Sequence, residues 1–320
     1  MSEKKPFKSY RTQLRNLRDR GMYVPTNGTP MRILEKENYY NVINGYKDLF
    51  LQTRKTAISS ETYKTGTKFS EINALYNFDC ELKAIFLKRL LRIENHIKSA
   101  IAYHFSAAYG AKNYLIIENF DLNPRSYETA GTRYSDVMRL IVGIQGDIAR
   151  QIKKHESINH YMLEYGYVPL WVLMNILTFG TVSYFYKFMK QPDKQKISKL
   201  YKISENEFEL MLKILSLVRN ICAHDERLYN FRSRDNIKEN WVHKTLALPK
   251  GPSGYINGRN DLFAVLICIR IFLKKSEFKK MTMEIKKALK DLEKELNVIS
   301  INDILNRMGF PINWENIMNV

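Results

Sequence analysis

The sequence predicts an all-α protein, and three observations carry that prediction. Apolar residues from Ser70 to Phe105 recur at intervals of three and four (Leu75, Phe78, Leu82, Phe86, Leu90, Ile93, Ile97, Ile101), while Lys83, Lys88, Arg92 and Lys98 fall elsewhere. That period puts the apolar side chains on one face of a helix about 50 Å long at 1.5 Å per residue. A second long helix announces its own start, in Ile203-Ser204-Glu205-Asn206-Glu207-Phe208. Ser204 is placed to cap it, Glu207 completes a capping box, and Ile203 and Phe208 occupy the two positions of a hydrophobic staple. Thirdly, the period-two alternation of strands is scarce along the chain.

Taken in order, helical spacing is expected at 6–20, 31–52, 70–105, 133–155, 170–189, from about Glu205 onward, 260–275 and 278–297. Turn-forming residues at Pro25-Thr26-Asn27-Gly28, Asn123-Pro124-Arg125-Ser126 and Lys250-Gly251-Pro252-Ser253-Gly254-Tyr255 mark loops, the last also a candidate boundary. The expected organisation is an N-terminal basic helical extension over 1–65, a helical domain over 66–250 and a C-terminal helical segment over 251–320, with the helices around Glu94 and Ser216 at the heart of a bundle. No residue from Tyr165 to Tyr186 is charged, but Pro169, Asn175, Thr178, Gly180, Thr181 and Ser183 interrupt the stretch. It reads as a buried helix bent near Gly180 rather than a membrane span. No apolar stretch follows Met1-Ser2-Glu3-Lys4-Lys5, so no secretory signal is expected. Cys80, Cys222 and Cys268 are scattered and odd in number, which suits reduced thiols in a cytoplasm.

The second long helix ends in Val218-Arg219-Asn220-Ile221-Cys222-Ala223-His224. At about 100° per residue Met211, Ile214, Leu215, Val218 and Cys222 form one apolar stripe for the core. Asn220 and His224, four residues apart, are expected to share another face with Ser216, Leu217 and Ala223, with Arg219 on its flank. Such a second surface of small and hydrogen-bonding residues suits a cleft or a self-association face. A histidine can give or take a proton near neutrality, and arginine offers a charged fork matched to phosphate oxygens. Together they suit RNA cleavage. The plainer account of Arg and His late in a helix is that they oppose the negative end of its dipole.

Charge supports a polyanionic partner: 51 Lys and Arg against 33 Asp and Glu give a formal +18. The surplus gathers near the start (Lys4, Lys5, Lys8, Arg11, Arg15, Arg18, Arg20), over 187–202, and near the end (Lys274, Lys275, Lys279, Lys280, Lys286, Lys287, Lys290). Candidate RNA-binding residues are Lys8, Arg11, Arg15, Arg18, Lys88, Arg92, Lys274, Lys275, Lys279 and Lys280. Twenty Tyr and sixteen Phe could supply stacking platforms, although Tyr184, Phe185, Tyr186 and Phe188 are expected in the core. His96 and His104 are eight apart, and His155 and His160 lack Cys partners, so no metal is expected. Neither a phosphate-cradling G-x-x-x-x-G-K-[ST] loop nor a G-x-S-x-G elbow occurs, and no cofactor is expected.

The wider wording adds a resemblance. R-N-x-x-x-H resembles the motif of HEPN domains, and R-N-I-C-A-H followed by E-R-L-Y-N is similar to the Abi-like proteins (AbiD and AbiF) of bacterial abortive infection. Further blocks follow that family's order: Leu17-Arg18-Asp19-Arg20-Gly21, Asn38-Tyr39-Tyr40 with Gly45-Tyr46, Arg92-Ile93-Glu94-Asn95-His96 running to Tyr103-His104, and Pro169-Leu170-Trp171 with Thr178-Phe179-Gly180. The likeness covers roughly 8 to 232. It implies a HEPN-like helical bundle and a metal-independent endoribonuclease that uses the RNA's own 2′-OH and leaves a 2′,3′-cyclic phosphate. It also implies a small structured RNA that restrains the protein, and a homodimer whose site takes one motif from each protomer. Arg219 would then bind the scissile phosphate, Asn220 would orient His224, and His224 would act as acid or base. One departure is Asn175, where the family pattern has Glu; Asn175 could assist only as a neutral hydrogen-bonding group. Glu94 stands among Arg89, Arg92, His96 and Lys98, as a salt bridge on a basic face, as a direct catalytic group, or as the group that orients Arg219. The competing function class is a non-catalytic RNA-binding or phage-sensing module that uses the same triplet to bind phosphate or seal a dimer.

Overall fold

The computed structural model describes residues 6–55, 60–252 and 254–320; Met1 to Lys5 and Ser253 of the sequence reading lie outside them. Among the described residues the fold is all-α with two small antiparallel strand pairs. Its helices are α1 (Tyr10–Asp19), α2 (Thr29–Glu37), α3 (Phe69–Tyr109), α4 (Ala130–Gln151), α5 (Glu156–Tyr165), α6 (Leu170–Leu173), α7 (Phe179–Phe188), α8 (Gln191–Lys199), α9 (Glu205–Ala223), α10 (Trp241–Thr245), α11 (Leu262–Phe272), α12 (Lys275–Glu293) and α13 (Ile301–Met308). The strand pairs are β1 (Leu51–Thr53) with β2 (Thr62–Tyr63), and β3 (Lys250–Gly251) with β4 (Gly254–Tyr255).

The architecture is organised by α3, whose 41 residues run about 60 Å. All eight residues of its expected stripe are buried, and α9 and α12 pack along it, with α7 against α9 and α11 against both α3 and α9. One continuous apolar core joins these helices from Leu14 to Ile317. The capping box forms as its chemistry requires. Ser204 Oγ accepts the Glu207 N–H at 3.3 Å, and Glu207 Oε2 accepts the Ser204 N–H at 3.0 Å, fixing where α9 begins. Met211, Ile214, Leu215, Val218 and Cys222 are all buried, so the stripe is the face that holds α9 down. Burying each aliphatic residue of this kind contributes about 1.5–3 kcal/mol.

Several expected elements differ. The helix expected over 31–52 stops at Glu37, because Asn38 takes a positive φ of 65° and its Oδ1 accepts the Tyr40 N–H. A π-turn (Tyr40–Asn44), a 3-10 turn (Lys47–Phe50) and β1 occupy the rest. The stretch 170–189 breaks at 174–178 rather than bending at Gly180, since Thr178 caps a fresh helix by accepting the Thr181 N–H at 3.1 Å. Phe185, Tyr186 and Phe188 are buried as expected, whereas Tyr184 is 59% exposed on the outer face of α7. Helices α5, α8, α10 and α13 and both strand pairs were not foreseen. Among the described residues, no helix is long and apolar enough to cross a membrane.

Candidate functional site

The motif occupies the last turn of α9 and the residue after it. Arg219 is half-buried, and Asn220 and His224 are exposed, so none of the three belongs to the core. The helical continuity that the shared face of Asn220 and His224 needs is interrupted before His224. The helix ends at Ala223, and His224 has extended backbone (φ −124°, ψ 175°), which carries its side chain off the helical register. Neither side chain has a hydrogen-bond partner among the described residues.

What pins the chain beyond the helix lies far away in sequence. Asp79, on α3 and fully buried, accepts the Leu228 N–H at 3.1 Å, the Tyr229 N–H at 2.7 Å and the Tyr46 hydroxyl at 2.7 Å. Tyr46 also stacks on Tyr229 with ring centroids 5.5 Å apart. Arg227 donates to the Gly45 carbonyl at 2.7 Å, and a Cβ on Gly45 would press within 3.3 Å of the Arg227 chain. His224 therefore lies on a short tether between the end of α9 and a buried clamp. Burial pushes the Asp79 carboxyl up while its three donors pull it down, and the balance is upward. Sequence reading missed Asp79, although an acid beside Leu75, Phe78 and Leu82 on the buried side of α3 was the signal. It also left Gly45-Tyr46 and Leu228-Tyr229 as separate blocks that the fold joins.

Arg219 leans across to α3. Its Nε donates to Glu94 Oε2 at 3.3 Å, and Glu94 Oε1 pairs with Lys98 at 2.7 Å. Glu94 is only 4% exposed, and its charge is balanced by two cations, a nearly buried Lys98 and a partly exposed Arg219. Glu94 thus forms a salt bridge, and one of its two partners is Arg219. Asn220 instead lines a groove of about 700 Å³ with Ser216 and Leu217, facing Tyr127, Tyr184 and Lys187. The second surface of α9 is thus a groove. Cys222 is buried and its thiol is pushed up to about 12, which keeps it neutral and unreactive beside the motif. Asn175 is exposed after α6 and lines a separate groove with Lys98, so it stands near the Glu94 pair rather than at His224.

The basic candidates divide into three places. Lys8, Arg11, Arg15 and Arg18 are exposed on and before α1, and the three arginines line a groove of about 460 Å³, where Arg18 holds the Val24 and Pro25 carbonyls. Lys88 and Arg92 on α3 share a groove with Lys280, but Arg92 is paired with Glu277 at 2.7 Å. Lys274, Lys279 and Lys280 are exposed, and Lys275 donates to the Asn319 carbonyl. In the run 187–202, Lys194 is buried toward Glu209 and Lys187 pairs with Glu128 at 3.6 Å, so part of that cluster balances internal acids.

No curated protein and no solved structure matches the chain. A family model does: residues 32–230, from α2 through the clamp at Tyr229, match the family described as Abi-like protein. That span takes in α3 with Glu94, α9 with Arg219 and Asn220, and His224 with its tether, and the chain belongs to the Abi-like protein family.

Proposed function

We propose that the protein is a metal-independent endoribonuclease acting as a toxin-type effector of abortive infection, restrained until needed by a small structured RNA. One observation carries the reading: at the end of one helix an arginine is held by a buried carboxylate, and an exposed imidazole follows on a clamped tether. A fixed cation beside a free proton carrier is what phosphodiester transesterification asks for.

The roles follow from the chemistry. Arg219 binds the scissile phosphate with the part of its fork that Glu94 leaves open, and Asn220 steadies the strand or the imidazole. His224 takes the proton of the 2′-OH as that oxygen attacks phosphorus. The bond to the 5′-oxygen breaks, that oxygen leaves with a proton, and a 2′,3′-cyclic phosphate remains. One imidazole performs one of the two proton transfers. A homodimer that brings a second His224 to the same phosphate would supply the other, and the groove beside Asn220 and Leu217 is the surface available for such a symmetric approach. The formal +18 supplies non-specific attraction for both the target and the restraining RNA.

Inducible expression in a bacterial host tests the role. The wild type should arrest growth without its restraining RNA, and His224→Ala should not. Undiminished arrest by His224→Ala would favour the non-catalytic module instead.

A further inference from the structure

A groove of about 640 Å³ runs along α3 on the far side of the Glu94 pair from His224's tether, within the ~300–1,000 Å³ typical of ligand clefts. Its chemistry differs from that of the basic patches. Trp171, 52% exposed at the start of α6, and Tyr103, 71% exposed on α3, present open ring surface at its walls. Asn95, Ser99 and Asn175 offer hydrogen-bonding groups between them, over a floor of Ala102 and Met174. Ser106 Oγ is buried there without a partner. Among the described lining residues Lys98 is the one with a charge, and that charge is spent on Glu94.

We propose that this groove is a nucleobase subsite for an unpaired residue of the RNA strand. It rests on the RNA reading above and adds where the strand goes beyond the scissile phosphate. Aromatic faces with neutral amides and hydroxyls, and with no uncommitted cation, suit a base rather than a phosphate, because stacking needs a ring face and reading needs donors and acceptors on the base edge. Lys98 belongs to the groove while sharing Glu94 with Arg219, so a base held here lies two side chains from the phosphate-binding arginine. The strand would then be gripped by its charge at Arg219 and by its base at Trp171 and Tyr103. Asn175 fits this use, since an amide both donates and accepts.

Binding of short 2′-O-methyl homopolymers of A, C or U to the full chain tests the subsite without cleavage, because these strands lack the nucleophile. Trp171→Ala and Tyr103→Ala should each weaken binding by about 5- to 150-fold, the range for removing one stacking platform. Trp171→Phe should bind nearly as the wild type. The slope of log affinity against log salt should stay unchanged in all three, since no phosphate contact is lost. Asn95→Ala with Asn175→Ala should reduce the differences among the homopolymers. Circular dichroism and light scattering accompany each variant. Wild-type-like binding by folded Tyr103→Ala and Trp171→Ala overturns the subsite while leaving the RNA reading intact. Conversion of a dimer to monomers by Trp171→Ala assigns the face to a second copy and also overturns it. A wild type that binds none of the strands removes the RNA reading and the subsite together.

Discussion

Replacing Asp79 with Asn keeps the shape of the side chain and removes the charge that holds the segment after the motif. Oδ2 receives both the Leu228 N–H and the Tyr46 hydroxyl, and Oδ1 receives the Tyr229 N–H. An amide has one acceptor oxygen, so whichever way it turns, at least one buried backbone N–H meets an NH₂ group. Leaving one such donor unsatisfied costs about 1–3 kcal/mol, and each surviving bond loses its charge assistance, about 1 kcal/mol. Against this, the fully buried carboxylate no longer bears its desolvation cost, the effect that pushes its pKa upward. The net expectation is a loss of about 1–3 kcal/mol, or a fall in Tm of about 2–6 °C for a chain of this size. The more telling effect is local. Amides of Leu228 and Tyr229 should lose hydrogen-exchange protection while α3 and the stripe of α9 keep theirs. His224 would then be held from one side only, and since a 1 Å misplacement can cost about 10²-fold, turnover should fall about 10- to 100-fold with little change in RNA affinity. Exchange protection at Leu228 and Tyr229 equal to wild type would refute the clamp. Lost protection with undiminished turnover would refute its connection to His224.

Other perturbations separate the remaining contacts. Glu94→Gln leaves Arg219 and Lys98 as adjacent cations; because Lys98 is nearly buried beside Glu94, the stability loss should be about 3 kcal/mol, while turnover falls about tenfold through a disordered guanidinium, read by thermal melts and cleavage kinetics. Arg219→Lys should not restore cleavage lost in Arg219→Ala, since a point charge lacks the bidentate fork. Changing Lys274, Lys279 and Lys280 together to Ala should reduce the salt slope of RNA binding by about 2, at about 0.7 per single-strand phosphate, if that face meets RNA; an unchanged slope would exclude it. His243 is fully buried, with Nε2 against the Gly258 carbonyl at 2.7 Å, and burial holds its pKa below 6.5. The unfolded chain therefore binds this proton first, so stability contributed by neutral His243 is present above about 6.5 and is lost as pH falls towards the depressed folded value; Tm in His243→Gln should lose that component of its pH dependence.

The sequence carried the local physics of this fold and little of its long-range assembly. The capping box at Ser204 placed the start of α9 at the right residue, and the three-four spacing along α3 named buried residues correctly, because both signals are complete within one or two turns. The path past a helix end was less legible where a side chain at a distance holds it. The chain just beyond His224 is pinned by an acid 149 and 150 positions before the groups that it binds, and no helical periodicity encodes that. The break at Thr178 was readable in principle, as a Thr-x-x-Thr start. The uncharged stretch around it also holds Gly180, a helix-weakening residue that the structure does not use as a break. At the site, the residue types of the motif are evident in the sequence, and the partnership of Glu94 with Arg219 is one of three readings it leaves open. The groove between Trp171 and Tyr103 was invisible, because it joins α3 to α6 across the fold and its residues look like ordinary surface in either segment.

The central claim is that His224 moves a proton during metal-independent cleavage. It is tested most directly by incubating purified wild type and His224→Ala with RNA in EDTA and analysing the ends of any fragments. Proton transfer typically contributes about 10²–10⁴ to rate, so the variant should bind RNA nearly as well and cut at least about 100-fold more slowly. Wild-type fragments should end in 2′,3′-cyclic phosphate, and one 2′-deoxy substitution at the cut should stop the reaction. Cleavage that needs Mg²⁺, proceeds through the deoxy site or persists in His224→Ala would contradict the account.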